Sequence, residues 1–216
     1  WYSDGVAVQI FAFRDLVVFK NNLYASDSQG KLWKTVDGIN WEEISITGLP
    51  ENSELSNLIA TKDEIYAITL DQSVYYSSDT INWNKLNEKY LDYIYNVNIE
   101  IAEFNNHIYI SSYSANTNGS KQRVWKVSKN KTSKKIFEKT GGNFYKIFGG
   151  SKSLYITGYK EIPDRLFIYK SSDGNAFKKR YTRKNVIIKE MVEIGDKVLF
   201  LISGNRRQYL WRLERV

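Results

Sequence analysis

The sequence predicts an all-β protein, a five-bladed β-propeller whose blades are four-stranded antiparallel sheets. Three observations carry that expectation. Five copies of a unit of 42 to 50 residues fill the 216-residue chain. Each unit is cut by Gly, Asn, Asp and Ser into short runs rich in Tyr, Phe, Trp, Val and Ile, the pattern of strands joined by hairpins. Aromatic residues make up 15% of the chain, with 16 Tyr, and with plentiful Val and Ile they favour strands. Four-stranded units of this length repeated about an axis make a propeller.

Two series of dipeptides set the period. The first is Leu23-Tyr24, Ile65-Tyr66, Ile108-Tyr109, Leu154-Tyr155 and Val198-Leu199, with spacings of 42, 43, 46 and 44. The second is Leu32-Trp33, Val74-Tyr75, Val124-Trp125, Ile168-Tyr169 and Leu210-Trp211, with spacings of 42, 50, 44 and 42. Within the first unit FAFRDLVVF alternates, the turn KNN leads into LYAS, DSQG leads into KLWKT, and VDGIN leads into WEEIS. The fifth unit stops at Val216, after its third strand. Trp1 stands where Trp41, Trp83 and Phe177 stand in their units. Trp1 is therefore expected to begin a fourth strand that completes the last blade and hides the sheet edges, giving one propeller domain over residues 1–216. The alternative is an excerpt of a longer propeller cut at matching phase.

Composition bounds the chemistry. Cys is absent, which excludes disulfides and thiolate metal sites. One His, His107, is present, in an expected turn (EFNNHIYI), so a histidine zinc site or a Ser-His-Asp relay is not expected. No run approaches eighteen consecutive apolar residues, so no membrane span is expected. No charged-then-apolar leader opens the chain, so a secretion signal is expected to have been removed already. The net charge is +7. Seven basic residues and no acid lie from Lys121 to Lys135, and six and no acid from Lys178 to Lys189. Such clusters suit a solvated outer strand or an anionic partner.

Three segments repeat a phrase: TVDGINW at 35–41, SSDTINW at 77–83 and SSDGNAF at 171–177. They resemble the Asp-box of bacterial neuraminidases and many other propellers, Ser/Thr-x-Asp-x-Gly-x-x-Trp, in a form one residue shorter. The matching residues are Thr35, Asp37, Gly38 and Trp41, then Ser77, Asp79 and Trp83 with Thr80 in the Gly place, then Ser171, Asp173, Gly174 and Phe177. The third unit keeps only Ser128 and Asn130. The resemblance implies a propeller fold and a structural role for Asp37, Asp79 and Asp173. The carboxylate accepts backbone N–H groups, Gly takes a positive φ, and the aromatic tucks between neighbouring blades. The enzymatic neuraminidases also carry an arginine triad, a Tyr-Glu pair and a Phe/Tyr-Arg-Ile-Pro segment. Phe13-Arg14-Asp15-Leu16 matches two of those four positions, so sialidase activity is not carried over.

Nine residues before the second member of each first-series pair stand Asp15, Asn57, Glu100, Lys146 and Glu190, all polar. The next positions, Leu16, Leu58, Ile101, Ile147 and Met191, are apolar. Alternation along a strand then predicts that the second set packs between blades and the first lines a central channel. Three acids, an amide and a lysine could hold a cation, act on a glycoside through Asp15, Glu100 and Glu190, or line a water-filled channel. Five-bladed glycosidases that look like arabinanases use three axial acids, but their strand motifs are not evident here, so the parallel is one of fold alone.

A second candidate surface is formed by long segments read as loops: SSYSANTNGSKQR in the third unit, TGYKEIPDR in the fourth and SGNRRQ in the fifth. They offer Tyr113, Asn116, Asn118, Arg123, Tyr159, Arg165, Arg206 and Arg207 for ligand binding, beside Asn57 and Lys146. Loops on a rigid scaffold are where binding residues gather, and Tyr, Asn and Arg can stack on, hydrogen-bond and charge-pair a sugar or its acid group. Asn118-Gly119-Ser120 and Asn130-Lys131-Thr132 fit the glycosylation acceptor pattern.

The function expected from these residues is a non-catalytic binding or assembly module, extracellular or at the cell surface, displaying the third to fifth blades to a glycan or protein partner. The alternative is a glycoside-acting enzyme using the axial carboxylates. No cofactor or metal is implied, and no nucleic-acid recognition motif is visible.

Overall fold

The computed structural model describes residues 12–86, 98–116, 119–141, 143–160, 165–184, 187–194, 197–204 and 207–213. The chain forms two compact units, Trp1–Leu86 and Asn87–Val216. Every regular element among the described residues is a β-strand.

The first unit holds two four-stranded sheets. Sheet 1 is β1 (Phe13–Phe19), β2 (Asn22–Asp27), β3 (Leu32–Thr35) and β4 (Glu42–Ile44); sheet 2 is β5 (Leu55–Ala60), β6 (Ile65–Thr69), β7 (Val74–Ser77) and β8 (Asn84–Lys85). The second unit holds three. Sheet 3 is β9 (Asn98–Phe104), β10 (His107–Asn116), β11 (Gly119–Val127) and β12 (Ser133–Thr140); sheet 4 is β13 (Asn143–Gly149), β14 (Leu154–Lys160), β15 (Arg165–Ser171) and β16 (Lys178–Lys184). Sheet 5 is β17 (Ile187–Ile194), β18 (Lys197–Gly204) and β19 (Arg207–Leu213), three strands among the described residues. Each sheet is an antiparallel meander in chain order. The first dipeptide series falls on the second strand of every sheet and the second series on the third. Trp1, expected to begin a fourth strand of sheet 5, lies outside the described residues.

Local chemistry sets the turns. Lys20 and Asn21 have φ of 46° and 62°, and Asn105 and Asn106 have φ of 51° and 56°. Two successive left-handed residues between strands make the tight hairpin whose twist matches that of the strands, and Asn tolerates the conformation better than other side chains. Hence KNN and FNNH close β1 onto β2 and β9 onto β10. His107 opens β10 after the second of these turns, its Nδ1 2.8 Å from the Asn105 carbonyl oxygen.

Cores lie between consecutive sheets of a unit. Phe19, Tyr24 and Leu32 of sheet 1 pack with Leu55, Leu58, Ile65, Ala67, Tyr75 and Trp83 of sheet 2. Ala102, Phe104, Tyr109 and Val124 of sheet 3 meet Ile147, Leu154, Ile156 and Phe167 of sheet 4. Tyr155, Leu166 and Ile168 on the other face of sheet 4 meet Ile188, Met191 and Val198 of sheet 5. Each large apolar side chain buried this way stabilises the fold by roughly 1.5–3 kcal/mol. Gly149 shows how closely sheets approach: a Cβ there would stand 1.6 Å from the Glu103 carbonyl oxygen.

Four of the five apolar positions on the first strands are buried as expected: Leu58, Ile101, Ile147 and Met191. Leu16 is not. It is 52% exposed, and Val18, two residues on, is 68% exposed. Among the described residues of the first unit no further sheet stands on that side of β1.

Candidate functional site

The repeated Asp turns are closed hydrogen-bond systems. Thr35 Oγ1 donates to Asp37 Oδ1 at 2.9 Å and accepts from Gly38 N at 2.9 Å. Ile39 N and Asn40 N both donate to Asp37 Oδ1 at 2.8 Å, and Asn40 Nδ2 donates to Oδ2 at 2.7 Å. Ser77, Thr80, Ile81 and Asn82 repeat this set around Asp79. Ser171, Asn175 and Ala176 surround Asp173. The fourth position is left-handed each time: Gly38 at 77°, Thr80 at 69° and Gly174 at 68°. Hydrogen bonds to the charged form depress a carboxyl pKa. The Asn40 amide, followed by that of Ile39, holds Asp37 well below the usual carboxylate range; the Asn82 side chain and amide do the same for Asp79. The Asn175 amide leads in bringing Asp173 down to about 2. Both oxygens of Asp37 and Asp79 are thus engaged in building a turn. The aromatic after each turn differs in depth. Trp83 is buried in the core between sheets 1 and 2 and donates Nε1 to Thr80 O at 3.0 Å. Phe177 packs on Phe137 of sheet 3 with centroids 5.3 Å apart, and Trp41 lies 4.7 Å from Phe13. The degenerate third copy is a smaller turn, in which Ser128 Oγ and Thr132 bond to the Asn130 side chain.

Asp15, Asn57, Glu100 and Lys146 lie on the first strands of their sheets, all partly buried. β1 lies beside β5 in the first unit, and β9, β13 and β17 lie side by side in the second. Asp15 is committed to the main chain: Oδ1 accepts from Leu16 N at 2.8 Å, and Oδ2 accepts from Leu58 N of β5 at 2.7 Å. Arg14 pairs with Glu54 of the same unit. A feature the sequence reading missed explains the position. Register breaks fall immediately before Asp15, Asn57, Lys146 and Glu190, against β2, β6, β14 and β18. Such β-bulges leave one residue unpaired and re-aim those that follow. Glu100 sits instead in a regular ladder opposite Ser111. The Glu190 side chain lies outside the described residues. Among those described, no group of three or more His, Asp or Glu side chains is placed to hold a metal ion.

The segments read as loops are mostly strand. β10 and β11 run to Asn116 and from Gly119, so Tyr113 pairs with Gln122 and Asn116 with Gly119 in an unbroken ladder. β14 and β15 extend to Lys160 and from Arg165; β18 and β19 extend to Gly204 and from Arg207. Alternating β-forming residues prolong the hairpins. Asn118 and Arg206 lie outside the described residues, as do the side chains of Asn116, Tyr159, Arg165 and Arg207. Arg123, expected on a displayed loop, is inside β11 and 5% exposed. Its Nε donates to Glu138 Oε2 at 2.9 Å, and Lys135 Nζ donates to the same oxygen at 2.6 Å. Arg123 is therefore a cross-strand pairing residue and is not free to meet a ligand.

One row of side chains joins Tyr113, a candidate from the sequence, to Gln122 and Lys139, which no sequence pattern marks. Tyr113 of β10, Gln122 of β11 and Lys139 of β12 are direct cross-strand partners and so share one face of sheet 3. Val124, two residues from Gln122, belongs to the core against sheet 4, so the row faces sheet 4. Lys139 Nζ lies 4.4 Å from the Phe167 ring centroid and 5.0 Å from that of Tyr169, and donates to the Tyr169 hydroxyl at 2.7 Å. Among the described residues no carboxylate is paired with it. Gln122 has no exposed surface, and neither Nε2 nor Oε1 has a hydrogen-bond partner. An unsatisfied buried polar group costs about 1–3 kcal/mol, so such an amide calls for an explanation. No sequence signal marks it, because a Gln in a lysine-rich strand reads as exposed.

With the geometry in place, comparison gives the fold a name. Residues 16–97 match the DUF6242 beta propeller domain. No curated protein matches the chain. Among solved structures it is similar to YCF48 bound to D1 peptide, at 13% identity and a TM-score of 0.59, covering 98% of this chain and 69% of that one. It is similar to the extracellular domain of BT4673 from B. thetaiotaomicron, at 12% identity and a TM-score of 0.58, covering 92% of this chain and 27% of that one. It is also similar to BamB from Moraxella catarrhalis, at 10% identity and a TM-score of 0.55, covering 93% and 61%. At these identities the likeness is one of fold: the chain is a β-propeller protein of antiparallel sheets. It spans between about a quarter and two thirds of these chains.

Proposed function

We propose that this chain is a non-catalytic binding or assembly module. Its long hairpins in sheets 3 to 5 meet a glycan or protein partner. The observation that carries the reading is the asymmetry between the units. The second strands of sheets 1 and 2 have 6 and 5 residues, whereas β10 has 10, β14 has 7 and β18 has 8. Extra strand beyond what the inter-sheet cores use presents side chains on a rigid support, at low entropic cost on binding. The engagement of Asp15 by two backbone amides supports recognition over catalysis, since both of its carboxylate oxygens are occupied by main-chain N–H groups.

In this reading residues 1–216 form one propeller of five sheets, the Asp turns are short-form Asp-boxes, and Trp1 supplies the last strand. The module works outside the cytoplasm or at the cell surface. The matched BT4673 region is an extracellular domain, and YCF48 binds a peptide; both are consistent with a partner-binding role.

The test trims the longest hairpin in register. Replacing Ala115–Ser120 by Asn-Gly joins Ser114 to its cross-strand partner Lys121 through a two-residue turn. Wild-type and trimmed proteins are read on a glycan array and a peptide array. The expected result is a ligand set lost on trimming with the melting temperature unchanged. Identical binding by both proteins, or none by either, contradicts the reading.

A further inference from the structure

We infer that the row Tyr113–Gln122–Lys139, on the face of sheet 3 that looks toward β15, is a binding site for the free carboxylate end of a peptide. The site lies in the tip half of the β10–β11 hairpin, three residue pairs from Asn116–Gly119, and rests on the binding-module reading above.

Two groups of this row have binding capacity to spare. The Gln122 amide is fully buried and has no hydrogen-bond partner at either polar atom. It offers donors and an acceptor together. Beside it, Lys139 is held over the Phe167 and Tyr169 rings with the Tyr169 hydroxyl as its acceptor. An ammonium on aromatic faces is positioned, yet its charge is unneutralised by any described carboxylate. The complement is an anion with an amide next to it. A peptide C-terminus has that arrangement: the carboxylate faces Lys139, and the last peptide group gives its C=O and N–H to Gln122. The spacing agrees. Direct cross-strand neighbours have Cβ atoms about 5 Å apart, and one residue of extended chain spans about 3.5 Å.

The depth of the site selects the ligand's shape. Gln122 is fully buried while Lys139 and Tyr113 beside it are partly exposed, so the row suits a linear chain end, which is narrower than a substituted sugar ring. The basic run on β11 and β12, from Lys121 to Lys135, adds attraction for an acidic end at longer range. Tyr113, half-buried and directly opposite Gln122 on β10, forms the side of the site toward β9.

The experiment uses the whole chain and two hexapeptide libraries identical except that one has free C-terminal carboxylates and the other C-terminal amides, with glucuronate oligosaccharides alongside. The expected result is binding from the free-acid library, weakened at least tenfold by amidation and at least tenfold in Lys139→Met. Gln122→Leu is expected to lose binding to the same extent while raising the melting temperature of the unliganded protein, because the buried amide is replaced by an apolar side chain of similar size. Equal binding of amidated peptides overturns the assignment. So does binding that survives both variants, or a Gln122→Leu protein that melts lower or does not fold, which would mean a trapped water already satisfies the amide. Retention of uronate oligosaccharides with no peptide bound overturns it in favour of an acidic sugar. A ligand lost on trimming the hairpin but untouched by both variants removes this site and leaves the module reading standing.

Discussion

Asp15 Oδ2 accepts a hydrogen bond from Leu58 N at 2.7 Å, joining the first strand of sheet 1 to the first strand of sheet 2. A residue that patterning alone places beside catalytic acids is here a strut between sheets. Its other oxygen takes the Leu16 amide. Asp15→Ala leaves both amides without that acceptor and is expected to destabilise the chain by about 1–3 kcal/mol, measured by urea unfolding. Binding on the arrays is expected to stay as in wild type at temperatures where the variant is folded.

The Asp turns make stability depend on pH. Asp37, Asp79 and Asp173 have carboxyl pKa values depressed by turn hydrogen bonds. A carboxyl whose folded value lies below its unfolded value contributes stability that is fully present above the unfolded value and is lost as pH falls through the folded one. For Asp173 that window runs from the ordinary 3.8 down to about 2; for the other two it extends lower. Melting temperature is therefore expected to fall as pH drops below about 4. The fall should be shallower in Asp79→Asn, which starts lower at pH 7. A triple Asn variant with an unchanged acid profile would contradict this account.

Two glycines separate strain from collision. Gly38 has φ of 77° with nothing within 4 Å of a Cβ, whereas at Gly48, with φ of 85°, a Cβ would stand 1.9 Å from the Trp83 carbonyl oxygen. Gly38→Ala is expected to lose about 1 kcal/mol from the left-handed backbone alone. Gly48→Ala adds a clash with main chain and is expected to lose at least about 2 kcal/mol. Denaturant midpoints of the two variants, at equal m-values, check the order.

Arg123 and Glu138 make an uneven pair. The guanidinium side chain is 6% exposed and the carboxylate 38% exposed. Glu138→Ala removes an acceptor from a buried charge, whereas Arg123→Met removes the buried charge itself and leaves Glu138 to Lys135 and water. Removing one partner of a buried pair is the more damaging change when a charge stays behind. Glu138→Ala is therefore expected to melt below Arg123→Met, by about 1–2 kcal/mol of unfolding free energy.

Much of the fold was legible because the repeat is written in positions that must be buried. Tyr24, Tyr66, Tyr109 and Tyr155 recur at a fixed phase, and each is at most 5% exposed. The Asn pair before His107 and the Asp turns declared themselves through backbone conformations that few residues tolerate. Leu16 was misread because periodicity tells which face is apolar, not whether another sheet covers it. The bulges before Asp15, Asn57 and Lys146 were invisible, since one extra residue in a strand leaves composition unchanged. The hairpin from Tyr113 to Arg123 was read as loop for its Ser, Asn and Gly, yet alternation and cross-strand pairing carried the ladder through it. Gln122 escaped notice for a related reason: the exposure of a polar residue in a strand depends on the neighbouring sheet, which lies far away in the sequence.

The central claim is that this propeller recognises a partner and does not transform one. Initial rates on a panel of chromogenic glycosides, for wild type and for Glu100→Gln, test it most directly. The account predicts no turnover above buffer for either protein. Turnover by wild type that disappears in Glu100→Gln would contradict it and return the first-strand acids to a catalytic role.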